Sequence, residues 1–259
     1  MSPSKPAEWL GRLVGGGRPQ PAASEMPVRR RHPAPTLPEP QLRTAWQLVS
    51  LLLSYPDERV QGLLPAIREA AGTLPDAVGS PLLRLADHLA DSDPQAVCTA
   101  YVDTFDTTRK CALHLTYYAH GDTRKRGIAL VQFKQAFRRA GLEVNDDELP
   151  DHLSVVLEFG ATGSVDVAWK LLNDHRSGIE LLQLGLDAKD SPWADAVTAL
   201  RATLPPLDGT QAEAVARLLA EGPPNEEVGL DGYALDPRLN PHPADDDLDL
   251  SLDLTGAHR

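Results

Sequence analysis

Only two cysteines occur in this chain of 259 residues, Cys98 and Cys111, and they form no C-x-x-C pair. They read as reduced thiols of a cytosolic protein rather than as a disulfide framework. No hydrophobic run is long; Leu51-Leu52-Leu53 is typical and far too short to cross a bilayer. The first residues, Met-Ser-Pro-Ser-Lys-Pro, lack the apolar core of a secretory signal, and Arg29-Arg30-Arg31 runs into His32-Pro33 rather than into an export sequence. A cytoplasmic chain without an integral membrane segment is the expectation. A general excess of positive charge is missing too: the formal net charge is −12. That argues against a nucleic-acid binder, which needs a basic face for the phosphate backbone.

Catalytic signatures are equally scarce. There is no G-x-S-x-G elbow, no glycine-framed cysteine, no G-x-x-x-x-G-K-[ST] and no G-x-G-x-x-G. Nucleophilic catalysis and phosphate cradling therefore have no visible machinery. A metal-dependent helical hydrolase using His114, His120, Asp122 and His152 is the alternative reading. The spacing does not favour it: Gly121 separates His120 from Asp122, Asp87-His88 runs in reverse order, and no H-E-x-x-H or E-x-x-H pairing occurs.

What the chain does have is helical periodicity between two atypical ends. Residues 1–40 contain nine prolines and the run Gly15-Gly16-Gly17, too little apolar surface to offset ordering entropy, and are expected to be a disordered leader. Residues 222–259 hold nine acidic and two basic residues, with Asp and Leu alternating near the end, and read as a disordered acidic tail. Residues 41–221 are expected to form an all-α single domain of about eight to ten helices. Asp57 and Gly72 bracket one helix, and Ser80-Pro81, Asp93-Pro94 and Ser191-Pro192 open others. A helix from Ile128 ends at Gly141, another breaks at Gly160, a long one covers Val165 to Leu184, and a last one spans Gln211 to Glu221. No run of alternating residues bounded by hairpin turns predicts a strand.

Seven of the thirteen aromatic residues fall between Tyr101 and Ala161, beside the polar knot His120-Gly121-Asp122-Thr123-Arg124-Lys125-Arg126-Gly127. Aromatic mass supplies affinity and fixed charge supplies register, so this stretch is the candidate recognition surface. Asp122 or Thr123 is placed to cap the following helix. Three cations at a helix N-terminus oppose its macrodipole, which requires an offset from Asp122, from Asp151 or from an acidic partner. Internal ion pairing and partner contact both fit.

These residues resemble a known family, the molybdenum cofactor assembly chaperones of respiratory nitrate reductase, its delta subunits. The resemblance rests on Leu51-Leu52-x-x-Tyr55-Pro56, Tyr101-Val102-x-x-Phe105-Asp106, His114-Leu115-x-Tyr117, His120-Gly121-Asp122-x-Arg124-x-Arg126-Gly127 and Leu149-Pro150-Asp151-x-Leu153-x-x-x-Leu157-Glu158. It implies an all-helical chaperone rather than an enzyme. It also implies a partner, the N-terminal segment of the catalytic alpha subunit within an apo alpha-beta complex. The chain would assist insertion of molybdopterin guanine dinucleotide into that client while binding no cofactor stably itself. Recognition of a helix in a groove then suggests a trough of Tyr101, Phe105, Leu115, Tyr118, Leu153 and Leu157 with a rim of His120, Asp122, Arg124, Arg126, Asp151 and Glu158. Each trough residue fits ordinary helical core as well.

Overall fold

Residues 33–142 and 148–222 are described by a computed structural model; the acidic tail and nearly all of the leader lie outside them. Among the described residues the chain is helical throughout, with α1 (Glu39–Leu52), α2 (Glu58–Ala71), α3 (Asp76–Asp91), α4 (Pro94–Phe105), α5 (Leu115–His120), α6 (Arg124–Arg139), α7 (Leu153–Thr162), α8 (Val165–Asp174), α9 (Arg176–Asp187), α10 (Ala194–Thr203) and α11 (Gly209–Glu221). A single 3-10 turn, Arg109–Cys111, precedes α5. None of these helices is long and apolar enough to cross a membrane.

Helix α1 is the hub, packed against α7, α10, α2 and α3. Its apolar face, Leu42, Ala45, Trp46, Val49 and Leu52, is almost completely buried, as the helical spacing of those residues requires. Trp46 stacks near Trp169 with ring centroids 6.4 Å apart. Its indole N–H donates to Thr203 Oγ1 at 3.1 Å, so the buried ring leaves no polar atom unmatched. A second aromatic nest joins Tyr101, Phe105 and Trp193, with Tyr101 and Phe105 centroids 4.7 Å apart. The Tyr101 hydroxyl donates to the Leu53 carbonyl, tying α4 to the end of α1.

Local start signals explain most boundaries. Asp57 accepts from the Val60 amide at 2.9 Å and Asp93 from the Ala96 amide, each satisfying an orphan donor. Asp208 and Gln211 form a reciprocal capping box on α11. Four expectations fail. Helix α3 begins at Asp76, after Pro75, and contains Pro81 in its second turn, where the proline supplies no N–H for the i→i−4 bond to the Ala77 carbonyl. The expected long helix is two, because the backbone at His175 leaves helical geometry and α9 restarts from there. Helix α5 is an element that the apolar periodicity did not announce, and with the split it raises the number of α-helices among the described residues to eleven.

The fourth concerns Gly160, which does not break α7; the helix runs on to Thr162 and stops before Gly163. Gly160 is there for space. A Cβ at this position would lie 2.5 Å from Trp46 Cε3 and 2.7 Å from the Ala168 Cβ, so α7 approaches α1 and α8 only because the atom is absent. Gly160→Ala is expected to cost about 1–3 kcal/mol by overpacking, read as a lowered urea midpoint with unchanged helix content. The end of α7 is further held by Arg43, whose guanidinium donates to the carbonyls of Gly160, Ala161 and Gly163.

Candidate functional site

The charged knot and the start of α7 meet through the backbone first. Residues His114 and His152 form an isolated antiparallel bridge. The Leu115 amide donates to the Asp151 carbonyl at 3.0 Å and the Leu153 amide to the Leu113 carbonyl at 2.7 Å. This pairing fixes the N-termini of α5 and α7 side by side and places Asp151, fully buried, beneath them. Its carboxylate accepts from the Thr116 amide at 3.2 Å and from the Thr116 hydroxyl, while His114 Nδ1 lies 3.3 Å away and Arg126 Nη2 3.9 Å away.

Burial alone would push the Asp151 carboxyl up. Hydrogen bonds from His114 and Thr116, with the charges of His114 and Arg126, outweigh it and hold Asp151 below the usual carboxylate range. The cations of the knot are thus offset partly from within. Arg126 contacts Asp122 at 3.2 Å on the outside and Asp151 on the inside. Neither Asp122 nor Thr123 caps α6; the Thr123 hydroxyl instead donates to the His120 carbonyl at 2.7 Å. Gly121 closes α5 at φ 57°, a left-handed conformation that favours glycine. The hydroxyl of Tyr118 donates to the carbonyls of Lys110 and Ala112, and its ring packs so closely on Gly178 that a Cβ there would sit 2.9 Å away. That contact is what brings α5 onto α9.

The expected rim is brought together in part. His120, Asp122, Arg124 and Arg126 surround the knot, with Asp122 and Arg124 exposed, His120 and Arg126 half-buried and Asp151 inside. Glu158 stands apart on α7; burial and the neighbouring Glu148 raise its carboxyl, opposed by Arg59. The residues expected to line a trough, Tyr101, Phe105, Leu115, Tyr118, Leu153 and Leu157, are all buried in the hydrophobic core. Their helical spacing already fitted core, and the packed interior takes them. Thr116 and the Arg176–Glu180 pair, both buried, and the half-buried His175 and Arg201 are polar features that spacing did not announce; only the fold brings them to their partners.

As for the metal alternative, His114 and His152 do stand edge to face, 5.3 Å between ring centroids. Asp122 and Asp151 are engaged by Arg126 and Thr116, and no group of three or more His, Cys, Asp or Glu among the described residues could hold a metal ion. His152 and His175 are instead kept neutral by burial, both lowered to about 4, with the charge of His114 adding to the effect at His152 and that of His120 at His175. The sign follows: between about pH 6.5, where the unfolded histidine titrates, and the folded value, the unfolded chain binds more protons, so stability falls as pH falls. Urea midpoints should decline through that window, and NMR should show both rings still neutral at pH 5.5. Replacing His152 by Phe should flatten part of the decline.

The fold and site define a helical protein that, among the described residues, offers surfaces and buried polar anchors and no cluster of metal-ligating side chains. Residues 71–199 match the family described as nitrate reductase delta subunit. The chain is 33% identical over 159 residues to the "Probable nitrate reductase molybdenum cofactor assembly chaperone NarJ" of Bacillus subtilis, covering 60% of this chain and 85% of that protein. It belongs to this family. It is also 33% identical over 151 residues to the "Nitrate reductase molybdenum cofactor assembly chaperone NarJ" of Escherichia coli, 57% of this chain and 64% of that one. The "Nitrate reductase-like protein NarX" of Mycobacterium tuberculosis is 36% identical over 156 residues, 60% of this chain but only 23% of that longer protein's length.

Proposed function

We propose that this chain is a system-specific chaperone for a respiratory nitrate reductase. It binds the N-terminal segment of the apo catalytic alpha subunit and keeps the alpha-beta complex competent for insertion of its molybdenum cofactor. The observation that carries this reading is the match to the Bacillus subtilis chaperone along most of that protein's length. The site chemistry supports it. The knot is a charged rim whose position is fixed by a buried carboxylate, which suits recognition of a segment rather than turnover of a substrate. In this reading the exposed members, Asp122 and Arg124, meet the client directly, whereas Asp151 and Arg126 hold them in register. Access to the apolar residues beneath, Leu115 and Tyr118 among them, requires α5 to shift from its seat on α9. The chain works in the cytoplasm and retains no cofactor of its own once the client is complete.

Titration calorimetry of the full chain with a synthetic peptide of the alpha subunit's first residues tests the proposal. Saturable binding to the native peptide and none to a scrambled one is the expected result. An absence of heat with the native peptide at both low and moderate salt overturns it.

A further inference from the structure

Helix α6 carries a charge opposite to that of the chain as a whole. Between Arg124 and Arg139 it holds six cations, Arg124, Lys125, Arg126, Lys134, Arg138 and Arg139, and no acidic residue, in a chain of net charge −12. One side of it is ordinary: Ala129, Phe133 and Phe137 are buried, and Arg126 turns toward Asp151. The other side is not. Ile128 and Val131 are 64% and 52% exposed, and their i,i+3 spacing puts them together on one face. Lys125 lies before them, and Arg138 and Arg139 follow, all three exposed. At 1.5 Å per residue the cations at the two ends stand about 20 Å apart with the apolar pair between them.

We propose that this outward face of α6 docks on an anionic lipid surface. Charge complementarity carries the choice: the only charges on this helical face are cations, with branched apolar side chains and the neutral Gln132 and Gln135 between them, and such a face lies on a phosphate-rich interface with its apolar residues entering shallowly. An amphipathic helical peptide would need a groove to lie in, whereas Ile128 and Val131 project from the outer side of a surface helix. The acidity of the rest of the chain does not forbid the contact, because at physiological salt the Debye length is about 8 Å. With only two apolar anchors, attachment is reversible and weakens as salt rises. The inference stands independently of which client the chain serves.

Co-sedimentation of the full chain with vesicles of dioleoylphosphatidylcholine alone, and with an equal part of dioleoylphosphatidylglycerol, provides the test. Binding to the mixed vesicles only, reversed by salt, is expected. Arg138→Gln with Arg139→Gln should weaken it by about five-fold per cation removed, and Ile128→Asn with Val131→Asn should abolish it. All four positions are exposed, so circular dichroism should be unchanged. No binding to the mixed vesicles, equal binding to both kinds, or binding that survives both double variants overturns the proposal. Binding of an acidic peptide with the sequence of residues 245–254, without binding to vesicles, also overturns it and makes the face a protein-docking site.

Discussion

Asp151→Ala is expected to lower the unfolding free energy by about 3–5 kcal/mol, the cost of removing one partner from a buried ionic cluster. The carboxylate is fully buried and receives the Thr116 amide and hydroxyl, with His114 and Arg126 beside it. Alanine leaves the Thr116 donors facing a cavity and strips Arg126 of its inner counter-charge. Asp151→Asn keeps the volume but offers an NH2 group where an acceptor is needed, so it should recover only part of the loss. Urea denaturation at pH 7 reads both. The pH dependence has a definite sign. Because the folded carboxyl is held below its ordinary value of 3.8, its contribution is fully present above that pH and is lost as pH falls through the lower, folded value. In strong acid the wild type and Asp151→Asn should therefore converge. If Asp151→Ala unfolds at the wild-type urea concentration, the carboxylate is not the anchor of the knot. The proposed chaperone role adds a second expectation: at a temperature where Asp151→Ala is still folded, its affinity for the client peptide drops, because Asp122 and Arg124 lose the register that Arg126 imposes.

The other large effect lies on α9, away from the knot. Glu180 is buried and takes Arg176 Nη2 at 2.7 Å and Arg201 Nη2 at 2.8 Å. Arg176 is itself only 5% exposed, and its Nε and Nη1 have no hydrogen-bond partner within the protein. Burial pulls its pKa down and Glu180 opposes that shift. Glu180→Ala removes the single carboxylate that makes this arginine tolerable inside, and about 3–5 kcal/mol should go with it. The discriminating comparison is the double variant Arg176→Met with Glu180→Leu, which removes both buried charges and fills the space. It should be at least as stable as the wild type, since a well-packed apolar replacement of a buried pair is often neutral or better. Arg201, only partly buried, returns to water. Equal destabilisation by the single and double variants would mean that packing of α9, and not an orphaned charge, sets the cost.

Much of this architecture was legible along the chain. The apolar faces of α1 and α2, the Asp57 and Asp93 caps and the last helix follow from spacing and end signals that act within a few residues. The knot is visible because five charged or histidine side chains crowd between His120 and Arg126. Misreadings arose where a local signal competed with a distant surface. Glycine is a poor helix former, so Gly160 reads as a terminator, yet α7 keeps it so that Trp46 can fit against the backbone. Ser80-Pro81 reads as a helix start, but α3 starts a turn and a half earlier, after Pro75.

Asp151 marks the boundary between the two kinds of information. In the sequence it is one acidic residue following Pro150, equally suited to offset the cations of the knot or to meet a partner. Burial and pairing came from Thr116 and Arg126, 35 and 25 positions earlier, and only the closure of α5 against α7 brings them within reach. The same holds for the six apolar residues expected to line a trough: periodicity decided that they face away from water, and tertiary packing decided that they face the interior of their own chain. Sequence by itself determined the helical class and the place of the charge knot, because these depend on neighbours three or four residues away, and it carried the family in the order of motifs spread from Leu51 to Glu158. Which charges are anchors, and which remain on the outside, depended on side chains from separate helices meeting where water is excluded.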